Sequence, residues 1–252
     1  MSIHTTDAIV LRHYPYRETS ALVTCLTDRF GKLKGLVKGL RDQTRPRYRS
    51  AMEPLTLNRI VFYDTRTSSL HLISQCDLLQ HWPQIQTDLE RAVAAASCVE
   101  LVDALVEPEE PQPQMFRLLA DTLARLSEGA QTGPVRIHFM LRLLRLSGFH
   151  PQLDECTGCS HPQADGYWSP RHGGLLCASC LHEDPHAQPL GAEWLDAIER
   201  CTDADHPVDL PEAQRELMQR RLDEFLRHRL DRPLKTLRLN AARFATEPLP
   251  VP

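Results

Sequence analysis

The chain has 252 residues, long enough for two or three domains and a sizeable total core, and no apolar run approaches the length of a membrane span. Its formal net charge of −4 does not by itself suggest a nucleic-acid partner. The charge is unevenly spread, however: residues 1–78 hold 12 Lys/Arg against 7 Asp/Glu, and the remainder holds 17 against 26.

Within the basic segment, residues 29–49 carry Arg29, Lys32, Lys34, Lys38, Arg41, Arg45, Arg47 and Arg49 against Asp42 alone, a balance of +7. Most charge runs are solvated faces, but here the near absence of counter-charges favours an anionic ligand. Strands are expected at 8–14, 21–27, 32–39, 55–63 and 69–74, and five short strands suggest a small barrel. A turn at Asp28–Gly31 joins the second and third as a hairpin. In the third strand a period of two puts Lys32, Lys34 and Lys38 on one face and Leu33 and Val37 on the other, with Leu36 breaking the alternation. Beyond it, residues 39–49 have no core-forming period and read as a basic loop. Tyr14, Tyr16, Phe30 and Tyr48 are the candidate base-stackers, Phe30 being better suited to packing in its hairpin and Tyr14 fitting barrel core or surface equally.

After Leu79 the period changes to that of helices. Leu89, Val93, Ala96, Val102 and Val106 recur at helical spacing, as do Phe116, Leu119, Leu123 and Leu126 beyond a proline-rich break at 108–113. A third helix follows Gly133-Pro134 and is apolar nearly all round, which predicts a central position, with Gly148 as its left-handed cap. It carries three arginines, Arg136, Arg142 and Arg145.

The chain then enters Cys156-x-x-Cys159 and, after seventeen intervening residues, Cys177-x-x-Cys180. Two such pairs form a near-sufficient ligand set for one tetrahedral zinc ion, and four protein ligands close the shell, making the metal structural. The rival readings are disulfides, disfavoured because the opening Met-Ser-Ile-His-Thr-Thr-Asp shows no signal segment and suggests a cytoplasmic protein, and thioredoxin-like redox chemistry, for which no βαβ unit is visible. His161, His172, His182 and His186 are expected at the surface; Cys25, Cys76, Cys98 and Cys201 are expected in cores. Two further helices follow, one marked by Leu190, Trp194, Ile198 and Cys201, the other starting at Pro211 with Met218, Leu222, Phe225, Leu226 and Leu230 inward. The expected organisation is α+β: an oligonucleotide-binding (OB) type barrel at 1–79, helical parts at 80–150 and 187–246 flanking a zinc module at 151–186, and a frayed tail at 247–252.

The order of these parts resembles the RecO family of bacterial DNA-repair proteins, and local sequence carries the same resemblance. In the barrel it rests on Arg17-Glu18-Thr19-Ser20, Leu26-Thr27, Gly31-Lys32-Leu33, Val37-Lys38-Gly39-Leu40-Arg41 and Pro54-Leu55. Further on it rests on Phe139-Met140-Leu141-Arg142-Leu143-Leu144, Ser147-Gly148-Phe149, Cys156-Thr157-Gly158-Cys159 and Arg232-Pro233-Leu234-Lys235-Thr236, where Thr236 stands for the family's usual Ser. The resemblance implies a non-enzymatic recombination mediator. Such a protein binds single- and double-stranded DNA, anneals complementary strands, partners RecR and helps RecA replace single-strand-binding protein. It implies a cytoplasmic protein, associated with the nucleoid when bound to DNA, with no membrane partner. The DNA contacts would fall to Lys32, Lys34, Lys38, Arg41, Arg45, Arg47, Tyr48 and Arg49. It also implies capture of the acidic, Phe-ending tail of single-strand-binding protein by the helical body, for which Arg142 with Arg145 form the best-placed neighbouring pair. No catalytic set or phosphate loop is recognisable. The alternatives are a zinc-containing adaptor that bridges repair proteins with little DNA binding, and a nuclease with a structural zinc ribbon.

Overall fold

The computed structural model describes residues 2–40, 51–64, 69–163, 165–230 and 233–236. The described residues divide into two compact units, one ending at Ala130 and the other beginning at Gln131.

The first unit opens with five strands, β1 (Ser2–Tyr16), β2 (Ser20–Thr27), β3 (Gly31–Val37), β4 (Thr56–Asp64) and β5 (Leu70–His81), closed into a barrel in the order β1-β2-β3-β5-β4. Closure depends on the length of β1. Its first half pairs with β4, from Ser2 opposite Asp64 to Ile9 opposite Leu57, and its second half pairs with β2, from Ala8 opposite Thr27 to Tyr16 opposite Ser20. A bulge between Val10 and Arg12 marks the bend. The expected strand at 8–14 is thus only the middle of β1. Its amino-terminal part reads Ser-Ile-His-Thr-Thr-Asp, which lacks apolar alternation and is held by ladder hydrogen bonds to β4 rather than by burial of every second side chain.

The fifth strand is likewise longer than its pattern. Val61 pairs with Gln75 and Phe62 with Ile73, so Ser74 is an extra residue bulged out of the ladder. The bulge changes the inward phase from His71 and Ile73 to Cys76, and an alternation read from the sequence stops there. The core inside the barrel includes Ala8, Val10, Val23, Cys25, Leu33, Val37, Ile60, Phe62, Ile73 and Cys76. On β3 the expected alternation is observed, with Leu33 and Val37 buried, Lys34 exposed and Lys32 half-buried on the opposite face.

Helices α1 (Pro83–Gln86), α2 (Leu89–Leu105) and α3 (Pro113–Ser127) complete this unit. The Asp88 side chain caps α2 by accepting from the Arg91 N–H at 2.9 Å. The buried face of α2 is Ala94, Ala95, Cys98, Leu101 and Val102, whereas Leu89 is 82% exposed and Ala96 also faces solvent. The expected stripe through Leu89, Val93 and Ala96 therefore has the wrong phase. Alanine and cysteine around the whole circumference leave little contrast for a periodicity to detect, and the neighbouring elements choose the face. In α3 the expected Leu119, Leu123 and Leu126 are buried, joined by Met115.

The second unit is built on α4 (Thr132–Leu146), where every residue from Pro134 to Leu141 is buried, as the all-round apolar pattern predicts. Gly148 adopts φ +73°, the left-handed conformation expected of a helix cap, and Phe149 N–H returns to Leu144 O at 2.9 Å. A four-stranded sheet follows, β6 (Gln152–Cys156), β7 (Gly166–Ser169), β8 (Gly174–Leu176) and β9 (Gln188–Leu190), in the order β6-β8-β7-β9. Helices α5 (Ala192–Asp203) and α6 (Glu212–Arg229) pack on α4. Trp168 stands 5.7 Å from both the Trp194 and Phe225 rings and joins the sheet to these helices. No helix among the described residues is long and apolar enough to cross a membrane.

Candidate functional site

Cys156 ends β6 and Cys159 lies in the turn after it, while Cys177 follows β8 and Cys180 lies in a short 3-10 turn, Ala178–Glu183. The fold brings all four Sγ atoms within 4.8 Å of one another, the single such ligand group among the described residues. Cys159 and Cys177 Sγ are 3.8 Å apart. That separation is too long for a disulfide, but it matches the edge of a tetrahedron with metal–sulfur bonds of about 2.3 Å. The donor set therefore fits a closed tetrathiolate site for a structural metal.

Backbone amides favour the thiolate of Cys156, whereas the hydrogen bond to Cys177 and burial push the Cys180 thiol up. Cys156 Sγ accepts from the N–H of Cys177 at 3.2 Å and of Gly158 at 3.4 Å. Burial works to raise the Cys156 thiol, but the amides of Cys177, Cys159 and Gly158 outweigh it and bring the group down to about 6. Space at Gly158 is tight, because a Cβ there would lie 3.1 Å from Cys180 Sγ and 2.9 Å from a Glu183 carboxylate oxygen. The nearby histidines turn elsewhere: His172 faces Glu183 at 3.6 Å, and the His182 Nδ1 lies 2.9 Å from the Ser179 carbonyl. Cys25, Cys76, Cys98 and Cys201 are buried, the first two inside the barrel.

On the barrel, strand register assembles a second surface. Paired residues of adjacent strands point to the same side, so Arg12, Thr24 and Lys34 form one row and Tyr14, Leu22 and Leu36 the next, with Tyr16 beside Ser20 beyond them. Lys38 follows one residue after β3 and is exposed. Tyr14 is 54% exposed and Tyr16 37%, and the Arg17 guanidinium lies 5.3 Å from the Tyr16 ring. Tyr14 thus takes the surface position of its two expected alternatives. Leu36, which interrupts the alternation in the sequence, falls in this row by its pairing with Leu22. Phe30 instead packs against the barrel core, edge-on to Phe62 at 5.2 Å.

Lys32 departs from the expected cationic set. Its ammonium donates to the Asp103 carbonyl at 2.7 Å and lies 3.8 Å from the Asp103 carboxylate, which also binds the Arg12 guanidinium. One buried acidic residue of α2 therefore holds two cations of the barrel wall. The local run of residues 29–49 could not reveal this, because Asp103 is 71 positions away from Lys32. Extending the alternation Arg12, Tyr14, Tyr16 along β1 was the signal available for the tyrosine row. Arg41, Arg45, Arg47, Tyr48 and Arg49 lie outside the described residues.

The α4 arginines have three different environments. Arg136 is buried and paired with the buried Asp223 of α6. Arg145 is exposed and bonds Asp203 at 2.6 Å, so its charge is already met by a carboxylate. Arg142 is half-buried and forms no ion pair among the described residues.

A small barrel with an aromatic and cationic outer face in one unit, and a four-cysteine cluster compatible with a structural metal in the helical unit, define a multidomain α+β protein. Two family models match the chain, Recombination protein O N terminal over residues 1–82 and Recombination protein O C terminal over residues 86–238. Similar proteins include the DNA repair protein RecO of Koribacter versatilis, 37% identical over 69% of this chain and 71% of that relative. Its counterpart in Desulforudis audaxviator is 34% identical over 75% of each chain. That of Anaeromyxobacter sp. (strain K) is 33% identical over 95% of this chain and 94% of the relative. The chain belongs to the RecO family, a family of DNA repair and recombination proteins and not a known family of catalysts.

Proposed function

We propose that the chain is a recombination mediator which binds single- and double-stranded DNA on the outer face of β1-β2-β3, anneals complementary strands, and with RecR helps load RecA onto DNA covered by single-strand-binding protein. The observation that carries this reading is the row of exposed Tyr14 and Tyr16 bordered by Lys34 and Lys38. Rings give sequence-tolerant stacking and ammonium groups neutralise phosphates, the combination that single-strand binding needs. Lys34 and Lys38, with Arg41, Arg45, Arg47, Tyr48 and Arg49, are the proposed contacts; Lys32 is engaged by Asp103 and contributes little. The four cysteines hold one structural zinc in this proposal.

Changing Lys34, Lys38 and Arg41 together to Ala is expected to weaken binding to all sequences alike. It should also flatten the plot of log K against log salt by roughly 0.7 per lost contact on single strands. Tyr14→Ala should cost about 1–3 kcal/mol on single strands with little change in salt slope. Fluorescence titration of a plain oligonucleotide at several salt concentrations reads both. Unchanged affinity and slope in the triple variant would move the DNA site elsewhere.

For the tail of single-strand-binding protein, α4 remains the proposed contact, with Arg142 and Arg145 as its cations. The Arg145–Asp203 pair shifts the weight to Arg142. Arg142→Ala should lower affinity for a labelled acidic peptide ending in Phe about tenfold or more, the loss of one hydrogen bond to a charged group, and Arg145→Ala by less. Anisotropy curves identical to wild type for both variants would place the pocket on another helix.

A further inference from the structure

Strand β1 carries one residue more than its partner needs. Val10 stands opposite Cys25 and points into the barrel, whereas Arg12 stands opposite Thr24, so Leu11 is bulged out of the ladder and the residues after it change face. Without the bulge, Arg12, Tyr14 and Tyr16 would follow Val10 inward. With it they share the outer face, Arg12 level with Lys34 across Thr24 and the two exposed rings beyond. Arg12 therefore stands in the DNA-facing row of the proposed function, on which the present inference rests.

Its charge is nonetheless committed elsewhere. The Arg12 Nη2 is bonded to a carboxylate oxygen of Asp103 on α2, and the Asp103 side chain is only 9% exposed against 34% for Arg12. Lys32 is the second cation of Asp103 and is fixed independently. Its ammonium donates to the Asp103 carbonyl at 2.7 Å, and its own carbonyl accepts from the Glu109 N–H at 3.0 Å. The two cations thus differ: Lys32 is nearly buried and held through backbone groups, whereas a third of the Arg12 side chain is at the surface. A nearly buried carboxylate stripped of every cation is strongly disfavoured, so Lys32 is what would let Asp103 give up Arg12.

Carboxylate and phosphate compete for the same planar donor fork of a guanidinium. We propose that Asp103 is an internal competitor of DNA: it withholds Arg12 from the phosphate backbone at the edge of the tyrosine row, and so sets the affinity of the barrel. The ligand that Arg12 would take is a phosphodiester, and the restraint acts on affinity for all sequences alike.

Fluorescence titration of the full-length chain with a plain single-stranded oligonucleotide at several salt concentrations tests the restraint. Asp103→Asn keeps the side-chain shape and removes the competing charge. It should steepen the plot of log K against log salt by roughly 0.7, one added contact, which over the decade from about 1 M to about 0.1 M salt is a gain of about fivefold. Adding Arg12→Gln should abolish that gain. Arg12→Gln alone should cost no more than about twofold, less than the roughly fivefold of Lys34→Ala, because a withheld cation contributes less than a free one. No gain from Asp103→Asn would overturn the proposal, as would a gain that persists with Arg12→Gln, which would reveal only general charge attraction. Asp103 also ties α2 to the barrel, so thermal unfolding of Asp103→Asn is measured first. Should that variant not fold, Arg12→Gln against Lys34→Ala decides, since equal losses would mean that Arg12 already contacts DNA in full. An unchanged affinity in Lys34→Ala would instead overturn the DNA face on which the inference rests, a result distinct from failure of the restraint.

Discussion

Cys159→Ser is expected to abolish stoichiometric metal binding and to unfold the knuckle while the barrel stays folded. The reason is the composition of the local core. Its buried residues are Cys156, Leu176 and Cys180, with Tyr167, Cys177 and Ala187 packed against them, so half of that cluster is metal ligand. Without the ion, three of those six side chains become a closely spaced set of thiols that repel one another when ionised, and Leu176 alone cannot order two turns. Structural zinc contributes about 10–16 kcal/mol to folding in isolated zinc-finger peptides, so losing one ligand should eliminate most of the knuckle's local stability. The barrel has its own core in the other unit. Elemental analysis should give one zinc per wild-type chain and well below that for the variant. Hydrogen exchange should lose protection over residues 152–190 and retain it over β1 to β5. Wild-type protein purified without metal yet protected across the knuckle would refute the zinc assignment.

Arg136→Ala is expected to destabilise the second unit by about 3–5 kcal/mol, because it leaves the Asp223 carboxylate buried and unpaired. Replacing both partners with apolar side chains, Arg136→Met with Asp223→Leu, should be near neutral or mildly stabilising. The contrast follows from the cost of burying the charges. Burial raises the Asp223 pKa and Arg136 pulls it only part of the way back. With the folded value above the unfolded one, this group's contribution is complete below the unfolded carboxylate pKa and is lost as pH rises through the folded value. Ionised Asp223 is thus less well accommodated in the folded chain than its pairing alone suggests, and a well-packed apolar pair avoids burying either charge. Urea unfolding followed by fluorescence of Trp168 and Trp194, both buried near α6, measures the two variants directly. Equal destabilisation by the single and double changes would show that the pair supplies net stability.

Arg136 also shows how an arginine on an apolar helix can be misjudged. From the sequence it is one of three cations on α4, distinguished from Arg142 and Arg145 by its angle around the helix. In the structure its role is internal, and Arg145 is bonded to a carboxylate 58 positions away. The same holds for Lys32 on the barrel, which alternates correctly with its neighbours and is nonetheless bound by α2.

Features whose physics is local are legible in the residues alone. The Cys-x-x-Cys pairs define a ligand set through covalent spacing, the period of two on β3 sorts Leu33 and Val37 from Lys34, and the uninterrupted apolar circumference of α4 makes it central. Which cations are engaged by carboxylates, and which face of α2 is buried, emerged with the packed fold. That fold also decided how far β1 and β5 extend. Charge neutralisation, ladder hydrogen bonding and the choice between equally apolar faces depend on partners outside any local period, 58 positions away for Arg145–Asp203 and 87 for Arg136–Asp223. No local period encodes where those partners will be.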